Sequence, residues 1–129
     1  MDAADRIAIT DLINLHGHLV DSGERYDELF TPDVEYDVSD LGGGVIAGRA
    51  ALWEAGLALG ENNPVGHHVT NIVLTEVGPD EVAARSKAIG ITAAGSCASL
   101  VYEDVVVRTP DGWLISRRRV VPRRRPLGR

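Results

Sequence analysis

The second half of the chain narrows the choice of fold more than any other feature. From Gly66 onward, runs rich in β-branched residues alternate with turn signals at Gly78-Pro79-Asp80, Gly95-Ser96 and Pro110-Asp111-Gly112. Such runs bounded by such turns read as strands. Asp-Gly also supplies the positive-φ position that a tight hairpin needs. The pattern predicts a four-stranded antiparallel meander over residues 67–77, 81–94, 97–109 and 112–121. In the second of these strands Ala84, Ser86, Ala88 and Gly90 share a face. Side chains that small leave room above the sheet for a helix or a ligand.

What precedes the meander reads as helical. Ile9, Leu12, Ile13, His16, Leu19 and Val20 recur at helical spacing, which predicts an amphipathic helix over 2–22 with Asp2 as cap and Gly23 as stop. A short second helix is predicted over Glu24–Phe30, broken before Pro32. Val34–Val38 alternates as a short strand, with Tyr36 on one face. Residues 40–47 read as a flexible Gly-rich rim; no Gly-Lys-Ser/Thr follows, so this is not a phosphate loop. A third helix is predicted over Gly48–Leu59, with Trp53 as core or pocket wall. Helices followed by a meander give an α+β, cone-shaped domain. Three N-terminal helices pack on a curved, mainly antiparallel sheet and enclose a pocket.

Within this frame one run stands out: Gly66-His67-His68-Val69-Thr70-Asn71. Strand side chains alternate, so His67, Val69, Asn71 and Val73 are expected on one face and His68 on the other. A histidine and an asparagine on an apolar face need partners. They are either satisfied structural groups or the polar part of a pocket, where a histidine is the usual proton-transfer group. His16 poses the same question, since it sits where a leucine would complete the apolar stripe of the first helix. Asp21 lies roughly 140° around an ideal helix from His16, so it is expected to turn inward as the helix ends. Glu103 and Asp104 point to opposite sides of their strand, so one of them is a candidate for the interior.

Bulk properties exclude several function classes. At 129 residues, 44% hydrophobic and 25% charged, the chain reads as one globular domain over 1–121 with a basic Pro/Arg tail over 122–129. No apolar run approaches the ~20 residues of a membrane span, and the acidic N-terminus is no secretory signal. With Cys97 the only cysteine, there is no intramolecular disulfide and no cysteine-based metal site. A cytoplasmic location suits these features. Before residue 117 lie six basic and nineteen acidic residues, a balance of −13; from Arg117 on there are seven arginines and no acid. The acidic body gives the tail a partner in its own protein or its own oligomer, and nucleic acid is not the expected ligand. It is expected to be extended and to lie on acidic surface.

The order of elements resembles the nuclear-transport-factor-2-like superfamily, in particular SnoaL-like and scytalone-dehydratase-like proteins. The resemblance rests on Leu12-Ile13-x-x-His16-x-x-x-x-Asp21, on Leu29-Phe30-Thr31-Pro32-Asp33-Val34-x-Tyr36-Asp37, on Gly48-Arg49, on His67-His68-Val69-Thr70-Asn71 and on Tyr102-x-Asp104-x-x-x-Arg108-Thr109-x-Asp111-Gly112-Trp113. It implies that His67 is the base, that Asp21 orients it and that Tyr36 lies near a tyrosine such enzymes use. His16 departs from the pattern, since relatives usually carry tyrosine there.

A carboxylate-braced histidine in an apolar cavity can take a proton from carbon beside a carbonyl, and an N–H or O–H donor then stabilises the enolate. The expected catalytic set is His67, Asp21, His16 and Tyr36, with Asn71, Trp53 and Ser86 as substrate-binding residues and no metal or cofactor. The expected activity is that of a dehydratase-type lyase or an isomerase on a small, mostly apolar, carbonyl-bearing ligand such as a polyketide- or steroid-like molecule. The alternatives are a polyketide cyclase and a non-catalytic binding or association module of the same fold. A homodimer or other homo-oligomer is expected, formed through the convex sheet face with Trp113 among its apolar residues.

Overall fold

The computed structural model describes residues 1–128. Helix α1 spans Ala3–Ser22 and helix α2 spans Arg49–Leu59. Six strands, β1 (Phe30–Asp37), β2 (Val45–Ala47), β3 (Gly66–Gly78), β4 (Glu81–Ile91), β5 (Cys97–Thr109) and β6 (Gly112–Arg123), form one sheet in the order β2-β1-β6-β5-β4-β3. Every pairing is antiparallel except β1 with β6, which is parallel. The sheet is curved and unclosed, giving the expected mixed α+β architecture.

The sequence explains where α1 begins and ends. Asp2 accepts from the Asp5 backbone N–H while the Asp5 side chain accepts from that of Asp2, a reciprocal capping box. Gly23, at φ 72°, takes the left-handed conformation and closes the helix with bonds to the Leu19 and Val20 carbonyls. The second predicted helix is absent. Residues Asp27–Leu29 form one 3-10 turn, and Phe30 already begins β1. Pro32 accounts for this, because it drives Thr31 out of the α region and into extended backbone. Thus two α-helices, not three, cover the concave face. The Gly-rich rim is also more ordered than expected: the Val38 N–H donates to the Gly44 carbonyl (2.8 Å), the Gly43 N–H donates back to Val38 (3.0 Å), and β2 follows.

At one end of the concave face, Ile9 and Ile13 of α1 pack on Phe30, Val34, Val82, Val106 and Ile115, all with no exposed surface. Each such side chain contributes about 1.5–3 kcal/mol through burial alone. Toward the other end the β4 side chains shrink, from Val82 through Ala84, Ser86 and Ala88 to Gly90. The pairing register there sets Ser86 beside Tyr102 and Gly90 beside Ala98.

Two irregularities bend the sheet. Between the pairs Thr70–Lys87 and Val73–Arg85, two β3 residues, Asn71 and Ile72, lie opposite the single β4 residue Ser86, so one residue is extra. Asn71, at φ 56°, takes the left-handed conformation that asparagine tolerates. The bulge resets the alternation: His67 and Val69 face inward, then Ile72 and Leu74, while Asn71 and Val73 border a groove on the outer face. A second bulge lets Ile115 and Arg118 both face inward, by accommodating one extra residue of β6 between Val105 and Val106 of β5.

One further expectation changes. Trp113 is not part of an uncovered apolar face; its indole N–H donates to Asp5 of α1 (3.0 Å) and Arg108 stacks on its ring (4.4 Å). The basic segment is part sheet, since β6 runs to Arg123 and Pro126–Gly128 form a short turn. Its contacts with acidic residues come from Arg117, near Glu35 and Asp37, and from Arg119, which donates to Asp40 (3.0 Å). Among the described residues no ion pair engages Arg123, Arg124 or Arg125.

Candidate functional site

The open end of the concave face is a cavity of about 500 Å³. His16 and Val20 enter it from α1, Leu52 and Ala55 from α2, Tyr36 from β1, His67 from β3, Leu100 and Tyr102 from β5, and Val120 from β6. This is a volume ordinary for small-molecule sites, and its wall is mostly apolar.

His67 stands at the start of β3 against the last turn of α1. One carboxylate holds it twice: Asp21 Oδ1 lies 2.7 Å from His67 Nδ1, and Oδ2 accepts from the His67 backbone N–H at 3.0 Å. The carboxylate can only accept, so Nδ1 carries a proton and, in the neutral ring, Nε2 is the lone-pair nitrogen. Asp21 reaches His67 from within regular helix, without the inward turn expected at the helix end. Four residues earlier, on the same face of α1, is Gly17. A Cβ there would lie 2.8 Å from the His67 carbonyl oxygen, so only glycine lets helix and strand approach this closely. His16 and Val20 are likewise four apart, and their face borders the cavity. His68, as its alternation requires, is exposed on the opposite face.

His16 is 4% exposed and rests on a buried ion pair that the sequence did not disclose. Arg118, with no exposed surface, donates through Nε and Nη2 to the two Asp104 oxygens at 2.7 and 2.8 Å. Its Nη1 lies 3.2 Å from His16 Nδ1. Tyr102 and Phe30 flank the guanidinium at 4.0 and 5.7 Å. Burial, with Arg118 and then His67 adding repulsion, holds the His16 imidazole neutral far below its ordinary titration range. Burial also keeps the Tyr36 and Tyr102 phenols protonated and raises Tyr26 to about 12. Burial thus favours the neutral forms of His16, Tyr26, Tyr36 and Tyr102.

Of the seven residues singled out from sequence, His67, Asp21, His16 and Tyr36 meet at this end of the molecule. The other three do not line the cavity. Asn71 is turned to the outer groove by its bulge. Trp53 supports Tyr26 from behind (5.4 Å) with Arg25 on its other side (4.9 Å). Ser86 is buried between the two ends of the concave face, its hydroxyl without a partner among the described residues. Sequence reasoning missed Arg118, Tyr26 and Tyr102 as site residues, and it left Asp104 as one of two candidates for the interior. Parity was the available signal, since Asp104 shares strand alternation with Tyr102 and Val106. Among the described residues no three His, Cys, Asp or Glu side chains converge as metal ligands, and no helix is long and apolar enough to cross a membrane.

A helix lid on a curved sheet, with a histidine clamped by the last helical turn, can be compared with known proteins. Residues 1–119 match the family model described as SnoaL-like domain. The chain belongs to the SnoaL-like domain family. It is 34% identical over 128 residues to the uncharacterized protein Rv2910c of Mycobacterium tuberculosis, covering 91% of this chain and 84% of that one. Among solved structures it resembles an NTF2-like protein with a cystatin-like fold from Novosphingobium aromaticivorans (31% identity, TM-score 0.72, 91% of this chain and 80% of that one). It shares its fold with a hexachlorocyclohexane dehydrochlorinase, LinA type 2 (22% identity, TM-score 0.80, 94% of this chain and 86% of that one). As a SnoaL-like domain, the chain has a fold on which dehydratase- and dehydrochlorinase-type lyases occur.

Proposed function

We propose that this SnoaL-like protein is a cofactor-free lyase. It eliminates a small leaving group β to a carbonyl in a mostly apolar substrate, of polyketide- or steroid-like size. The observation that carries the reading is the His67 Nδ1–Asp21 Oδ1 contact of 2.7 Å at the wall of an apolar, unfilled cavity. Asp21 fixes the tautomer and stabilises the imidazolium that forms when Nε2 takes a proton.

In the proposed sequence His67 Nε2 removes the proton beside the carbonyl, and the C–H electron pair passes into the carbonyl as an enolate. His16 and Tyr36 are the donors to that oxygen. The pair then returns, forms the carbon–carbon double bond and expels the β-substituent. A departing hydroxide leaves as water with the proton His67 acquired. Isomerisation is the same first step with the proton returned elsewhere.

The test is solvent-deuterium exchange at the α-carbon of a panel of bicyclic and tetracyclic β-hydroxy ketones, followed by mass spectrometry. The wild-type protein is expected to catalyse exchange. His67→Ala, folded by circular dichroism, should lose roughly 10²–10⁴-fold of that rate. Binding without exchange across the panel would instead favour a non-catalytic ligand carrier. We further propose that two copies associate through the outer sheet face, where Val73 and Ile89 are exposed. A monomeric mass by light scattering at micromolar concentration would refute this.

A further inference from the structure

The two cavity histidines receive their protons from opposite sides, and the partner of each dictates where. Asp21 can only accept, so it places the His67 proton on Nδ1. Arg118 can only donate, and its Nη1 lies 3.2 Å from His16 Nδ1. His16 Nδ1 must then be the acceptor, and its proton sits on Nε2. No described residue takes that Nε2–H, and it is not a closed-off orphan: the buried side-chain polar atoms lacking a partner are those of Thr31 and Ser86. The Tyr26 and Phe30 rings pack edge-on against the imidazole at 5.3 and 5.6 Å and limit its rotation.

Resting on the lyase reading, we propose that the buried Arg118–Asp104 pair is a positioning device. It locks His16 as the neutral Nε2–H tautomer, so that the cavity presents one imidazole lone pair (His67) and one imidazole donor (His16) to an uncharged carbonyl ligand. His16 lends a hydrogen bond to the developing oxyanion and keeps its proton throughout; only His67 exchanges one. Arg118 does not serve as a counter-ion for the ligand, because both Asp104 oxygens already occupy it. Asp21, the anion behind His67, is occupied by it. A ligand carboxylate would therefore be desolvated with no free cation among the described residues of the lining to meet it. The strong depression of the His16 titration agrees with this arrangement but is not needed for it.

The first test needs no substrate. Side-chain nitrogen NMR of the ¹⁵N-labelled full chain near neutral pH is expected to show His16, assigned by its loss in His16→Gln, protonated on Nε2 and bare on Nδ1. His67 should show the reverse. A His16 protonated on Nδ1, or on both nitrogens, would overturn the proposal whatever the fate of the lyase reading. The second test removes the device as a unit. In Arg118→Met/Asp104→Leu no lone charge is left buried, and the His16 signals should collapse to a tautomer mixture while those of His67 stay put. Unchanged His16 signals in the folded variant would show that the pair does not set the tautomer; should the variant not fold, the wild-type spectrum still decides. The third test compares 2-acetonaphthone with 2-naphthoate by calorimetry. The ketone should bind at least roughly tenfold tighter and shift the His16 Nε2 resonance. A preference for the carboxylate, or no binding of the ketone, would overturn the uncharged-ligand assignment.

Discussion

At one end of the concave face Ile9, Ile13, Phe30, Val82 and Val106 meet in a core without exposed surface. At the other end Tyr36, Tyr102, Leu100 and Val120 border a cavity. The same strands build both ends, so the backbone does not make the difference. Side-chain volume along β4 makes much of it, as valine gives way to alanine, serine and glycine over one strand length. Arg118 and Asp104 mark the boundary, charged but fully satisfied. A small domain thus confines its stability to one half of a sheet and leaves the other half free to hold a ligand.

The sharpest way to break this division is at the boundary. Arg118→Met alone strands the Asp104 carboxylate in the interior and should cost about 3–5 kcal/mol in urea unfolding, whereas Arg118→Met/Asp104→Leu should recover most of it. Ile13→Ala, at the filled end, should cost about 2–5 kcal/mol. Stability should also follow the charge state of His16. Its folded pKa lies below the unfolded value of 6.5, so the unfolded chain binds the extra proton as pH falls. The stability is present above 6.5 and declines below it, by at most about 1.4 kcal/mol per pH unit. Urea midpoints between pH 7 and 5 should flatten in His16→Gln, which still accepts from Arg118. The smallest stability effect is expected at the open end. Ala98→Phe, at an exposed position beside Gly90, should shift stability by less than about 0.5 kcal/mol. It should nevertheless abolish calorimetric binding of 2-acetonaphthone. A large loss of stability there would mean the cavity end is structural after all.

The filled end was the more legible in sequence. The stripe Ile9, Leu12, Ile13 and the turn-bounded strands are local patterns, and they survive in the fold with boundaries shifted by a few residues. The second helix was lost because Pro32 acts further upstream than the helical run suggested. The bulge at Asn71 was not legible, since one inserted residue reverses every later side chain and leaves the composition unchanged. Arg118 was hidden for a related reason. It lies within Arg117-Arg118-Arg119, which reads as a solvated charge run, and only the long-range register with Asp104 shows that the middle arginine turns inward. The pairing of His67 with Asp21 had a sequence cue at each partner, but the geometry joining them depends on how α1 sits on β3.

That seating has a mechanical meaning of its own. Gly17 lets the last turns of α1 bear directly on the backbone of β3 beside His67. Two backbones in contact form a hard stop, with no rotamers to wander and no methyl groups to repack. The alignment of carboxylate and imidazole is thus referenced to a datum outside the cavity wall. Residues such as Val20, Leu100 or Val120 can be exchanged to reshape the chamber without recalibrating the dyad. A Cβ added at Gly17, in contrast, would act as a shim against the His67 backbone and displace the dyad from a position outside the cavity lining.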